Sequence, residues 1–205
     1  MASALALAAC GGEAPRQDVD EPAGEFPVDV YKAQFPNRQS LAEASDLVLG
    51  IENTGEATVP EVAVTAFIAD ESGEPASSGE PFYTRIEQQG VSNPNRPVWI
   101  LDDTYPHIKG LPPPKGSSPG SVAQTNTFAF GELPPGDRIE LVWRLTAVRP
   151  GTYTIDYEVS AGLQGKARAV TADGSAPEGK FVVTISDKPP KATVTGKGKV
   201  KIEQR

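Results

Sequence analysis

The sequence predicts an all-β protein, an antiparallel β-sandwich with a long Pro/Gly-rich insertion and flexible termini, and three observations carry that expectation. Apolar and polar residues alternate with a period of two in several segments, the pattern of strands buried on one face. Twenty glycines and twenty prolines are spread along the 205 residues without a repeat, which points to many turns and short connections. No stretch reads as a convincing helix, and 38% hydrophobic residues can supply the core of one domain.

The first element is an apolar run, "ALALAA", that ends at Cys10, the single cysteine. "GGEAPRQDVDEPAGEFP" then switches to an acidic, breaker-rich composition. Residues 1–10 are expected to be an export segment and 11–25 a disordered tether, kept solvated by Glu13, Asp18, Asp20, Glu21 and Glu25 against Arg16. Extended, such a tether reaches about 50 Å, and as a coil about 20 Å.

Residues 26–187 are read as the sandwich. "VDVYKAQF" opens it. "DLVLGIENTG" puts Leu47, Leu49 and Ile51 on one face and turns at Asn53 to Gly55, and "EVAVTAFIAD" aligns Val62, Val64, Ala66 and Ile68. "FYTRIE", "PVWIL" and "TNTFAF" are shorter candidates. "RIELVWRLTAV" sends Ile139, Leu141, Trp143 and Leu145 inward with Glu140, Arg144 and Thr146 outward, and "GTYTIDYEVSAG" does the same with Tyr153, Ile155, Tyr157 and Val159. "KARAVTA" and "KFVVTIS" complete about ten strands, and "LPPGD" and "RPG" are turns in which proline sets φ and glycine permits φ > 0. Asp70 to Ala123 is too long and too rich in breakers for an ordinary connection, which makes it an insertion and the first place to look for a site.

The tail 188–205 follows a Pro-Pro break. Counted from Asp187, six basic residues face Asp187 and Glu203, a balance of +4 against an overall −8. Glycines and like charges favour a mobile arm there; the alternative is a hairpin in which "ATVT" and "KVKIE" flank "GKG".

Two stretches resemble known families. Leu7-Ala8-Ala9-Cys10 resembles the lipobox of bacterial lipoproteins, and the resemblance implies a diacylglyceryl group on Cys10 with cleavage before it. No Lys or Arg precedes Cys10, so an in-frame upstream segment is expected to supply them. "DLVLGIENTGEATVPEVAVTAFI" and "GELPPGDRIELVWRLTAVRPGTYTIDYEVSA" resemble the Ig-like CARDB type, the cell-adhesion-related domain found in bacteria. That resemblance implies an Ig-like sandwich serving as a non-catalytic cell-surface module, and it brings no catalytic residues.

Several chemistries lack their residues. The acidic body repels phosphate backbones, so no nucleic acid is expected as a partner. No run approaches the roughly 20 apolar residues of a spanning helix. A hydrolase or transferase would need His107, the lone histidine, with loop carboxylates, yet no G-x-S-x-G accompanies it. Asp102 and Asp103 are chain neighbours and would point apart on an extended backbone. No metal site is expected: one histidine and one cysteine cannot assemble a His/Cys zinc site, and "DESGE" and "TADGS" lack calcium-loop spacing. "GLQGKA" lacks the gap and the hydroxyl of a P-loop. No cofactor is expected. Phe82, Tyr83, Trp99, Asp102, Asp103, Tyr105 and His107 are the candidate ligand-binding residues, the aromatics as stacking platforms for a sugar or peptide; for Trp99 and Trp143 burial in the core is the leading reading. The expected function is a non-catalytic binding or structural module on the extracytoplasmic face of a bacterial cell membrane, held by lipid, with a cell-wall polymer, a glycan or an envelope protein as partner. The alternatives are the envelope hydrolase or transferase and an accessory subunit of a membrane complex.

Overall fold

The computed structural model describes residues 21–69, 82–84, 97–111, 121–124, 126–189, 191–194 and 200–203. Cys10, the lipobox and most of the tether lie outside the described residues. Among those described, every regular element is a strand: β1 Gly24–Gln34, β2 Arg38–Ser40, β3 Ala44–Asn53, β4 Ala63–Ile68, β5 Phe82–Thr84, β6 Trp99–Leu101, β7 His107–Ile108, β8 Ser121–Gln124, β9 Thr127–Ala129, β10 Arg138–Ala147, β11 Gly151–Ser160, β12 Ala167–Val170, β13 Glu178–Ser186, β14 Lys191–Val194 and β15 Val200–Glu203.

Two sheets enclose one core. The first runs β12-β1-β3-β10-β6-β5, with β7 also on β10; the second runs β2-β13-β11-β4-β9-β8. The alternation read from the sequence sets which residues face inward. Leu47, Leu49 and Ile51 from β3, Leu141, Trp143 and Leu145 from β10, and Ile155, Tyr157 and Val159 from β11 are all buried, as are Val62, Val64, Ala66 and Ile68. The β3–β10 pairing is antiparallel and unbroken from Ala44↔Thr146 to Glu52↔Arg138, which makes it the spine of the first sheet.

The sandwich expected as antiparallel is mostly so, with three parallel pairings among its strands. β1 with β12, β2 with β13 and β5 with β6 are parallel. All three involve strands at or next to a sheet edge, where long connections let the chain approach in either direction. The sandwich also starts earlier than Phe26, because β1 begins at Gly24 and Glu21 is already docked. Within 70–123 the described residues contribute β5, β6 and β7 to the first sheet, and β8, which runs on to Gln124, joins the second. In the tail, β14 and β15 pair antiparallel from Lys191↔Glu203 to Val194↔Val200, so its backbone takes the hairpin form and not the arm favoured from composition.

Two local devices explain the turns. Asn53 is fully buried; its Nδ2 donates to the carbonyls of Ala57 at 2.9 Å and Leu133 at 2.8 Å, while its Oδ1 accepts from Gly55 N at 3.0 Å. The Asn-Thr-Gly turn and the Leu-Pro-Pro-Gly corner are thereby tied by one side chain whose polar atoms are satisfied. Gly50 lies between Lys32 and Glu140 in the register of β1, β3 and β10. Having no side chain, it lets Lys32 reach across β3 to Glu140 at 3.0 Å.

Candidate functional site

The insertion was the first place to look, and the structure divides its candidate residues. Trp99 is wholly buried and Phe82 nearly so, so neither can stack on a ligand. Trp99 packs among Phe35 (centroids 5.7 Å), Tyr153 (5.8 Å) and Phe82 (6.5 Å). Its Nε1 donates to Oε1 of the buried Gln39 at 2.7 Å, and Gln39 Nε2 donates to Pro36 O at 3.1 Å. An indole anchored in this way fixes the insertion to β2. Trp143 is also core, with Phe130 and Phe128 edge-on at 5.5 and 6.0 Å.

The next four candidates remain at the surface. After β6 the chain turns with Tyr105 N donating to Asp102 O at 2.9 Å, and Asp102 and Asp103 are exposed on this turn. The half-buried rings of Tyr105 and His107 meet at 4.4 Å. His107 Nδ1 lies 3.3 Å from the Thr104 carbonyl oxygen, to which it donates in the Nδ1–H tautomer. Its ring is thus oriented by a backbone carbonyl and not by Asp102 or Asp103. Tyr83 pairs with Ile100 in the parallel β5–β6 ladder.

Beyond this turn the outer face of the first sheet carries an ordered set of charges. Glu140 accepts from Lys32 at 3.0 Å and from Lys109 at 2.8 Å. Arg138 pairs with Glu52 at 2.8 Å and stands 5.4 Å over the ring of Tyr31, which is 39% exposed. Hydrogen bonds from Lys109 and then Lys32 hold the Glu140 carboxyl below its ordinary value. The arrangement is a surface network with an amphipathic ring at its centre.

The second concentration of polar groups was missed from the sequence. Glu21, counted as a solvated tether charge, is held by the "GLQGKA" loop. Its Oε2 accepts from Leu163 N at 3.0 Å and Gln164 N at 2.8 Å, and its Oε1 from Lys166 N and Ala167 N, both at 2.9 Å. Gly165 takes φ +77°, a left-handed conformation that curls the loop, and a Cβ on Gly162 would run into the carboxylate. Partial burial works to raise the Glu21 pKa, but the four backbone donors outweigh it and the net shift is downward. Beside this loop lies an open groove of about 390 Å³ lined by Glu25, Thr65, Thr127, Glu158, Gly162 and Arg168 among others. Glu25 and Arg168 pair at 2.5 Å, and the hydroxyls of Thr65 and Thr127 meet at 2.8 Å. No short-range signal marks Glu21, because its partners lie some 140 residues along the chain.

Among the described residues no group of three or more His, Cys, Asp and Glu side chains is placed to hold a metal ion. In the "TADGS" turn Asp173 is occupied by the hydroxyls of Thr171 and Ser175 and by Ser175 N. "DESGE" lies outside the described residues.

Searches of known protein families and of curated proteins find no match. Among solved structures, the chain is similar to the CARDB domain of a Pyrococcus furiosus protein, crystallised in complex with di-metal ions. The identity is 13% and the TM-score 0.42, over 81% of this chain and 99% of that one. It is also similar to a C-terminal portion of native Escherichia coli alpha-2-macroglobulin, at 15% identity and a TM-score of 0.42, over 82% of this chain and 18% of that one.

Proposed function

We propose that this chain is a non-catalytic binding or structural module, displayed on the extracytoplasmic face of a bacterial cell membrane and held there by lipid on Cys10. Its partner class is a cell-wall polymer, a glycan or an envelope protein. The observation that carries the reading is the junction between tether and sandwich. Eleven residues after Cys10, Glu21 is gripped by four backbone N–H groups. A pull on the tether is thereby passed into the loop and into the β1–β12 ladder, which suits a module that must stay folded while anchored.

The scatter of the loop candidates favours binding over turnover: His107 is oriented by a carbonyl, and Asp102 and Asp103 sit exposed on a turn. The test is expression in a bacterium with an intact export signal, followed by membrane fractionation and metabolic labelling with an alkyne-tagged fatty acid. The native protein is expected in the membrane fraction and labelled, and Cys10→Ala soluble and unlabelled. A native protein that exports without label refutes the anchor. Turnover of an envelope substrate that disappears in His107→Ala or Asp102→Asn refutes the non-catalytic reading.

A further inference from the structure

β14 and β15 form a sheet of their own, paired with no other strand among the described residues. A two-stranded hairpin alone is marginal in water and persists where a further surface covers one face. The register shows which face that is. Ala192 stands opposite Ile202 and Val194 opposite Val200, whereas Lys191 stands opposite Glu203 and Thr193 opposite Lys201. Successive residues of a strand alternate between faces, so the four apolar positions share one face and the four polar positions share the other. The residues that join the two strands, 195–199, add Lys197 and Lys199. The hairpin thus combines an apolar face with a basic connection.

Charge and apolarity together select the occupant. Residues 190–205 carry Lys191, Lys197, Lys199, Lys201 and Arg205 against Glu203 alone, in a chain whose net charge is −8. The partner is therefore anionic, and it must also accept apolar surface. A soluble polyanion meets the lysines but leaves the apolar face in water. The acidic body of a second copy meets the charge without the apolar match: Tyr31, Leu111, Val148 and Val182, the large apolar residues exposed among those described, stand one each on β1 and β13 and in two connections. An anionic bilayer supplies both features, a headgroup layer that attracts lysines and an acyl boundary that takes apolar side chains. We infer that the β14–β15 hairpin is a membrane-surface element that lays the face of Ala192, Val194, Val200 and Ile202 into an anionic lipid bilayer. This contact goes beyond the anchor proposed at Cys10 and does not rest on it, since it lies at the other end of the sequence and needs no acyl group.

The test uses the full chain carrying Cys10→Ala, which cannot be acylated and contains no other cysteine. A failure here therefore leaves the Cys10 anchor standing, and a failure of that anchor leaves this contact standing. Co-sedimentation with vesicles of phosphatidylglycerol mixed with phosphatidylcholine should capture the protein, and vesicles of phosphatidylcholine alone should not. Lys197→Ala with Lys199→Ala should weaken capture about 10- to 30-fold, the effect of two lysines at an anionic surface. Deleting residues 190–205 should abolish it. To read the face, a nitrobenzoxadiazole dye is attached at Val194→Cys or at its neighbour Thr193→Cys, and the pair Ile202→Cys and Lys201→Cys repeats the reading on β15. On anionic vesicles the emission should shift to the blue and strengthen from 194 and 202, and stay aqueous from 193 and 201. Absence of capture on anionic vesicles, or capture that survives the deletion, overturns the inference. Equal responses from neighbouring positions overturn the apolar face, and polyphosphate binding as tight as vesicle binding then assigns the tail to a soluble polyanion. Self-association without vesicles that disappears on deleting 190–205 overturns the inference in favour of a second copy.

Discussion

Trp99→Phe tests whether the insertion is part of the core. The phenyl ring keeps an aromatic face toward Phe35, Phe82 and Tyr153 but removes the donor that bonds Gln39 Oε1 at 2.7 Å. Gln39 is 4% exposed, so its oxygen is left buried without its partner, at a cost of about 1–3 kcal/mol. The smaller ring adds about 1 kcal/mol for lost contacts and residual cavity. The expected loss is therefore about 2–4 kcal/mol, a fall in Tm of roughly 4–16 °C for a domain of this size. Thermal melts followed by circular dichroism, with urea titrations to give the free energy, provide the measurement. The double variant Trp99→Phe with Gln39→Leu removes the orphaned oxygen and should recover part of the loss, leaving a coupling of about 1 kcal/mol or more. A single variant that melts with the native protein, or strictly additive losses, would refute the anchoring role of Trp99.

Gly50→Val should destabilise by about 1–3 kcal/mol: even its Cβ would stand 2.9 Å from Lys32 Cβ and 2.6 Å from the Tyr31 ring, and chemical denaturation against the native chain measures it. Acid should weaken the outer-face network. Glu140 is held below its ordinary pKa by Lys109 and Lys32, so its contribution is complete above the unfolded value near 4.5 and is lost as pH falls through the lower folded value. Melting temperature should therefore drop as pH falls through that range, and Glu140→Gln should flatten part of the drop; an unchanged profile refutes the network. Deleting residues 190–205 removes β14 and β15, which among the described residues pair with each other in a two-stranded sheet of their own, and the Tm should stay at the native value.

The sandwich was legible because its long strands carry their burial in their own alternation. β3, β10 and β11 each place three predicted residues in the core, a pattern local to ten residues. The short strands were not: β2 and β7 have two or three residues, too few to show a period, and they exist because a neighbouring long strand offers them an edge. Parallel pairing was invisible for the same reason, since direction at an edge depends on where a long connection returns the chain. The site was read least well. Trp99 and Phe82 drew notice as aromatics in a breaker-rich stretch, yet large rings there close the open end of the core. Glu21 looked like one acidic residue among several, because composition cannot distinguish a solvated carboxylate from one that finds four N–H groups on a distant loop.

The parallel ladder between β1 and β12 also bears on the order in which the protein folds. Gly24 pairs with Ala167, so closing this ladder requires about 140 intervening residues to be in place, and such closure is slow relative to local hairpins. A chain that emerges N-terminus first presents Phe26 and Val28, both buried in the finished core, long before β12 exists. The β11–β13 and β3–β10 pairings can consolidate without that ladder, which leaves the start of β1 to seat last. The amino-terminal strand thus waits longest for its β12 partner, and the capture of Glu21 marks the end of assembly.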